Sequence, residues 1–353
     1  MKQKVYVLRR KTMNFNNNNA LVTAVHRDRY EILFENETQY ARLKTSCFYN
    51  TGEIVDFPTV GDEVEIQYNS SGDSLITKVL PRKTVFLRLN ATQGLPDQAV
   101  AANFDYVFIT MSLNKDFNIT KLERYLTVAW QSGGIPVVVL TKVDLCEDKD
   151  FYVNQVNEVA IGVDCYCVSS VTGEGFQEME GFFKEGNVSV LLGSSGVGKS
   201  SFVNLIMGKE TMQTGGIRET DAQGRHTTTY KQCMDIPESI VLPNGTIIRG
   251  GGRIIDTPGM RRLVVGEIEE GIGTTFEDVE NLIACCKFSD CRHDREPGCA
   301  VKAALENGTL DRKRWQTYQE MQQEASFSKD RKNAMMKRIS KFSKEYNKHR
   351  HKV

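Results

Sequence analysis

Asn187-Val-Ser-Val-Leu-Leu-Gly193-Ser194-Ser195-Gly196-Val197-Gly198-Lys199-Ser200-Ser201, running on into Phe202-Val-Asn-Leu-Ile, decides how the chain is read. A short apolar run, a glycine-rich turn and the opening of a helix follow one another without a break. Glycines let such a turn curl so that successive N–H groups point inward, where they hold phosphate oxygens. The start of the helix adds positive field at the same place. In this pattern Lys199 reaches the β- and γ-phosphates, and the Ser200 hydroxyl is placed to ligate Mg²⁺. A surface turn carrying a lysine would share the composition. It would not have the strand before it, or Phe202, Leu205 and Ile206 at helical spacing after it.

Three more stretches complete a nucleotide site. Asp256-Thr-Pro-Gly259 follows an apolar run; Asp256 is suited to hold Mg²⁺ through water, and the Gly259 N–H to touch the γ-phosphate. Gly224-Arg-His226-Thr-Thr228-Thr229 lies between these two and reads as a switch segment, with Thr228 the favoured threonine to complete the Mg²⁺ shell. Elsewhere a threonine run would be only an extended polar segment. Thr141-Lys142-Val143-Asp144 ends the apolar run Ile135–Leu140. A carboxylate at Asp144 accepts hydrogen bonds from guanine N1 and N2, a donor pair adenine lacks, so it selects GTP over ATP. The alkyl stem of Lys142 can lie along the base. Ser169-Ser170, after Val168, resembles the loop whose backbone N–H meets guanine O6.

In small GTPases the phosphate loop comes first and the base-reading motif follows. Here Asp144 and Ser169 precede Gly193, so the set reads as a circular permutation. Permutation is tolerated where old termini lie close together at the surface.

At 353 residues the chain predicts two or three domains. Its 40% hydrophobic and 25% charged residues are those of a soluble globular protein. There is no apolar run long enough for a membrane span, and the first residues have charge but no apolar core of a secretory signal. A cytoplasmic protein without a membrane partner is therefore expected, and nothing in the sequence calls for more than a monomer. Nine cysteines then point to reduced thiols and a metal site rather than disulfides. Net charge is zero, but residues 329–353 carry ten Lys/Arg against two acids, which leaves the rest of the chain at −8. Such a tail is either a solvated helix or a segment that neutralises phosphates.

The pattern divides the chain into six parts: a basic, Asn-rich arm (1–19), a β-barrel (20–90), a linker (91–103), a nucleotide domain (104–270), a helical metal-binding domain (271–328) and the basic tail (329–353). The barrel rests on short alternating runs at Leu21–Val25, Tyr30–Phe34, Tyr40–Leu43, Glu63–Tyr68 and Leu75–Val79, for which an OB-fold is the best match. Such a barrel either binds nucleic acid on one face or only supports its neighbour. The polar stretch opening at Pro81-Arg82 reads as linker up to about Asn103. Beyond it, apolar strands alternate with amphipathic helices, which gives an α/β domain with a parallel sheet. Cys286, Cys291, His293 and Cys299 place three thiols and an imidazole within fourteen residues, a donor set for one closed structural Zn²⁺ site, with Cys285 a possible competitor of Cys286.

Taken together, TKVD at 141–144, GSSGVGKSS at 193–201, GRHTTT at 224–229, DTPG at 256–259 and the Cys/His spacing resemble the circularly permuted ribosome-assembly GTPases of the RsgA (YjeQ) family. The likeness covers nearly the whole chain. It implies an OB-fold, a permuted GTPase domain and a zinc domain. It also implies GTP hydrolysis to GDP that is stimulated by the small ribosomal subunit and its rRNA, late in that subunit's maturation. The chain departs from the common GTPase pattern in three places. Thr141 stands where many GTPases have Asn. Residues 236–251, with an Asn244-Gly245 turn signal, read as an insertion. Met260 occupies the place of a water-orienting glutamine, so slow unaided hydrolysis is expected and His226 becomes a candidate to orient the water, or merely to cap the switch. The competing function is a zinc-stabilised RNA-binding protein that guanine nucleotide regulates and in which hydrolysis is incidental.

Overall fold

The structure is a computed structural model that describes residues 18–27, 29–48, 57–88, 97–114, 117–209, 231–256 and 269–350, with side chains as far as Asp330 and at Asn333. Five strands, β1 (Asn19–Val25), β2 (Tyr30–Phe34), β3 (Glu37–Leu43), β4 (Glu63–Gln67) and β5 (Ser74–Val79), close a barrel in the order β1-β2-β3-β5-β4, with β4 back on β1. Every alternating run of the sequence is here a strand. The inward residues Ala20, Val22, Ile32, Phe34, Val64, Ile66 and Ile76 fill the barrel, and the single turn α1 (Thr45–Phe48) adds Phe48 to them.

Strand β1 is longer than the barrel needs. Its register with β2 shifts between Val22 and Ala24, a bulge that bends a strand away from its partner. Past the bulge, Ala24 and Val25 pair with Gln232 and Lys231 of the next domain. The barrel and the nucleotide domain thus share one continuous eleven-stranded sheet.

The described parts of the stretch expected to be a linker are folded. Arg82 donates to both carboxylate oxygens of fully buried Asp62, each at 2.8 Å, so the exit from the barrel is pinned by a bidentate ion pair. The chain then forms the hairpin β6 (Val85–Arg88) and β7 (Gln98–Ala102). The sequence hides β7 because Gln98-Ala-Val-Ala-Ala has small residues and no alternation. Their size has a use: a Cβ on Gly61, at φ +87°, would lie 2.0 Å from the Ala102 carbonyl oxygen. The barrel and hairpin touch backbone to backbone there.

The nucleotide domain is a six-stranded sheet built from β8 (Tyr106–Ser112), β9 (Ile135–Thr141), β10 (Cys165–Val168), β11 (Val188–Leu192), β12 (Lys231–Asp235) and β15 (Arg253–Asp256), with the hairpin β13 (Ser239–Val241) and β14 (Ile247–Arg249) between the last two. The order is β10-β9-β8-β11-β15-β12, parallel throughout except for β12. Helices α2 (Ile119–Gln131) and α3 (Lys149–Val159) cover one face; α4 (Lys199–Met207), the tight turn Glu180–Phe183 and the β13–β14 hairpin cover the other. Helix α2 spans the residues its spacing predicts, and Asn118 caps it by accepting from the Lys121 N–H at 2.9 Å. Helix α3 was not legible because only Val156 and Val159 are buried along it, too thin a stripe to register as periodic.

A helical domain follows: α5 (Glu269–Thr275), α6 (Glu277–Ala284), α7 (Ala300–Asn307) and α8 (Arg312–Arg350). Helix α7 ends at Gly308, whose φ is +78°. Helix α8 runs for 39 residues, about 58 Å at the standard rise, and carries the basic tail on its far end. Among the described residues no helix is long and apolar enough to cross a membrane. All nine cysteines are unpaired by disulfides, and burial pushes the Cys165 and Cys233 thiols up to about 12, where they stay protonated.

Candidate nucleotide-binding site

Strands β11, β15, β9 and β10 all end at the same edge of the sheet, and each sequence motif with described residues begins where one of them stops. That edge is where parallel α/β sheets hold ligands. Chain order does not matter to this convergence, because the sheet places β11 between β8 and β15 whatever the path between them.

The loop from Gly193 to Gly198 leaves β11 and turns directly into α4. A Cβ on Gly193 would sit 2.4 Å from the Thr110 carbonyl oxygen, so only glycine lets the loop lie against β8. Gly196 and Gly198 take φ of +79° and +98°, a region glycine enters without cost. Val197, 5% exposed, anchors the loop from below, while Ser194, Ser195, Ser200 and Ser201 lie along its rim. The Lys199 ammonium folds back over the loop and donates to the carbonyl oxygens of Gly193, at 2.7 Å, and Ser194. Asp256, 7% exposed, ends the neighbouring β15.

The TKVD stretch is tied to this loop by two of its residues. The Thr141 hydroxyl lies between two carbonyl oxygens, 2.5 Å from Val197 and 3.2 Å from Met111. It links the end of β9 to the phosphate loop. Lys142 has φ +63°, unusual for a lysine, and this turn aims its ammonium at the Gly196 carbonyl oxygen, 2.9 Å away. Buried Val143 then roots a single tight turn on which Asp144 stands exposed. On the next strand, Ser169 is fully buried, and its Oγ accepts from the N–H groups of Val171 and Thr172, both at 3.1 Å. Its own N–H donates to the Glu174 carbonyl oxygen, which leaves Ser170 as the residue of the pair at the edge. His226, Thr228, Gly259 and Met260 lie outside the described residues.

One contact had no sequence signal. The Tyr125 hydroxyl is 3.1 Å from Ser194 Oγ, so α2 reaches the phosphate loop. In the sequence Tyr125 is one more apolar position of an amphipathic helix. The other flank of α2 faces the helical domain. Arg314 of α8 donates to Glu123 at 2.8 Å and to Asp278 of α6 at 2.6 Å, with Arg314 and Glu123 both nearly inaccessible. Burial raises the Glu123 carboxyl above its ordinary value, and the Arg314 charge opposes that rise. A Cβ on Gly271 would meet the Thr127 carbonyl oxygen at 2.2 Å, so α5 and α2 are in backbone contact.

In that helical domain Cys286, Cys291, His293 and Cys299 come together, with their donor atoms all within 4.8 Å of one another. Cys286 Sγ is 3.6 Å from His293 Nδ1 and 4.0 Å from Cys299 Sγ, and Cys299 Sγ is 3.5 Å from His293 Nδ1. Tetrahedral zinc with its usual bond lengths sets sulfur–sulfur and sulfur–nitrogen separations of about 3.8 and 3.6 Å, so the cluster is compatible with zinc. Cys285 is exposed and outside the cluster; it does not compete. The ring of His293 meets that of Trp315 edge to face at 5.4 Å.

Known proteins agree with this geometry. The profile of the RsgA GTPase family matches residues 79–265. A Listeria monocytogenes protein named small ribosomal subunit biogenesis GTPase RsgA 1 is 49% identical over 306 residues, covering 87% of this chain and 83% of its own. This chain belongs to the RsgA GTPase family. Among solved structures, YjeQ from Thermotoga maritima superposes with a TM-score of 0.60 at 27% identity, over 87% of this chain and 98% of its own. YloQ, described as a circularly permuted GTPase, shares the fold with a TM-score of 0.55 over 90% of this chain and 98% of its own. The fold is thus the circularly permuted GTPase, with a five-stranded OB-like barrel before it and the Cys/His domain after it.

In this RsgA chain the Thr141 hydroxyl supplies a loop tie, although threonine is shorter than asparagine. Thr141→Val keeps the shape and removes the donor, leaving a buried carbonyl unsatisfied. GDP affinity should fall roughly two- to tenfold, the worth of one hydrogen bond, while Thr141→Ser retains native affinity. Equal affinity in the valine variant, measured by calorimetry, would show that the tie does not shape the site.

Proposed function

We propose that this chain is a GTPase that docks on the small ribosomal subunit late in its maturation and hydrolyses GTP to GDP in response. The observation that carries the proposal is the convergence of a phosphate loop and a guanine-selecting aspartate on one sheet edge, within a chain whose relatives are named small ribosomal subunit biogenesis GTPases. That role would be carried out in the cytoplasm, and a monomer suffices for it.

Each residue has a distinct task. Gly193 to Ser201 would wrap the phosphates with backbone N–H groups, and Lys199 would move from the loop carbonyls to the β- and γ-phosphate oxygens. Ser200 would hold Mg²⁺ directly, Asp256 would hold it through water, and Thr228 would join when the switch orders. Asp144 would accept from guanine N1 and N2, with Lys142 along the base. Because the Ser169 N–H is taken by Glu174, the Ser170 N–H would meet O6. Gly259 would contact the γ-phosphate. With Met260 in place of a glutamine, water is not oriented by that position, and His226 would orient it or take its proton once the ribosome orders the switch.

Partner binding follows from charge and shape. Residues 329–353 carry ten Lys/Arg against two acids, and α8 carries that stretch as far as Arg350. Such a segment suits the phosphate backbone of rRNA. Cys286, Cys291, His293 and Cys299 would hold one structural Zn²⁺, which has no open position for chemistry and serves to fix α6 and α7.

Two experiments test this reading. GTP turnover should rise strongly when purified small subunits are added, and the rise should fade steeply between about 50 and 200 mM salt. Lys199→Ala should abolish it, and His226→Ala should lower it with GDP binding intact. Nucleotide binding without any stimulation by subunits would favour the RNA-binding alternative. Separately, metal analysis should find about one zinc per chain, and chelation or Cys291→Ser should lower the melting temperature. A zinc-free chain with native melting would remove the metal.

A further inference from the structure

The 236–251 insertion is not a surface ornament. Ile236, Ile240, Leu242 and Ile248 are at most 3% exposed, packed in one cluster with Phe176, Met179, Phe183 and Phe202. They roof the sheet face opposite α2. The hairpin is also fastened along its length. Arg249 donates to Glu180 at 2.6 Å, the Gly250 N–H to the Glu238 carbonyl oxygen, and the Gly251 N–H to the Pro237 carbonyl oxygen. Its tip is a closed turn: Leu242 donates to Thr246 O at 2.8 Å, Gly245 donates to Leu242 O at 2.9 Å, and Asn244 Oδ1 accepts from the Thr246 N–H.

That tip reaches Gly173. A Cβ added to Gly173 would meet Pro243 Cδ at 3.1 Å, Leu242 Cβ at 3.2 Å and Asn244 Cγ at 3.4 Å. Gly173 belongs to the turn that presents Ser170. Its N–H donates to the Ser169 carbonyl oxygen at 2.8 Å, and its φ is +84°. On the opposite side the turn is stopped by β10, because a Cβ on Gly175 would lie 1.9 Å from the Cys167 carbonyl oxygen. The turn is therefore held between β10 and the hairpin tip. A hairpin that served only as a roof would need Ile240 and Ile248, but not contact from the exposed Pro243.

We propose that the β13–β14 hairpin is a positioning brace for the Ser169–Gly175 turn, and that its tip, Leu242 to Asn244, sets how the chain reads the O6 edge of guanine. The inference rests on the assignment of Ser169-Ser170 as the base loop. Pro243 and its neighbours touch no nucleotide; they act through Gly173.

The test uses the full chain and three diphosphates: GDP, 6-thio-GDP, whose sulfur is a weaker acceptor at position 6, and IDP, which lacks the 2-amino group assigned to Asp144. The variants are Pro243→Gly, which removes an exposed ring and spares the core, and Gly173→Ala, which pushes the turn off the tip. In the native chain 6-thio-GDP should bind more weakly than GDP. In both variants that preference should shrink roughly two- to tenfold while the GDP-to-IDP ratio stays native; Gly173→Ala, strained at φ +84°, should also melt at a lower temperature. Native discrimination in both variants would overturn the brace and leave the hairpin a roof. Equal loss for all three diphosphates would also overturn it, as general loosening. A native chain that does not distinguish GDP from 6-thio-GDP would overturn the base-loop assignment itself.

Discussion

A phosphate loop has to be stiff before its ligand arrives, since N–H groups that must first be ordered give up much of what they gain on binding. Here the stiffness comes from contact with strands that are distant in sequence. Gly193 lies against the Thr110 carbonyl at the end of β8, and Val197 accepts the Thr141 hydroxyl at the end of β9. The loop thus has no independent shape; it takes the shape of the sheet edge. This explains why the permuted chain order is harmless. The sheet needs β11 between β8 and β15, with β9 beside β8, and it does not register which of them was made first.

Two paths lead outward from the loop. One runs through the sheet: β11 pairs with β15, β15 with β12, and β12 with the end of β1, so the barrel continues the sheet of the nucleotide domain. The other runs through α2, which touches Ser194 by way of Tyr125 and grips the helical domain through Glu123, Arg124 and Thr127. The Glu123–Arg314–Asp278 group is weak evidence for stability, because burying charge costs nearly what pairing returns. Its value is geometric, since a buried guanidinium between two carboxylates tolerates few arrangements.

The local features were legible. The barrel strands could be read because each alternates, α2 because its stripe is wide, and the phosphate loop and the Cys/His cluster because their chemistry is packed into a few consecutive residues. What could not be read depends on partners far away in the chain. β7 looked like linker, since Ala102 carries no signal until Gly61 comes to lie on it. The Tyr125 hydroxyl and the Arg314 guanidinium look like ordinary helix residues until their partners, 69 and 191 positions away, are placed. The insertion showed its turn at Asn244-Gly245 but not its destination at Gly173.

The connections through the sheet and through α2 predict that nucleotide state is felt in both flanking domains. Amide hydrogen exchange of the full chain, with GDP and with a non-hydrolysable GTP analogue, tests it most directly. Rates should differ at Ala24, Val25 and Gln232, where barrel and sheet join, and along α2 and its contacts with α5 and α8. Differences confined to the phosphate loop and the switch segment, with both junctions unchanged, would contradict the claim and leave the three domains as independent bodies.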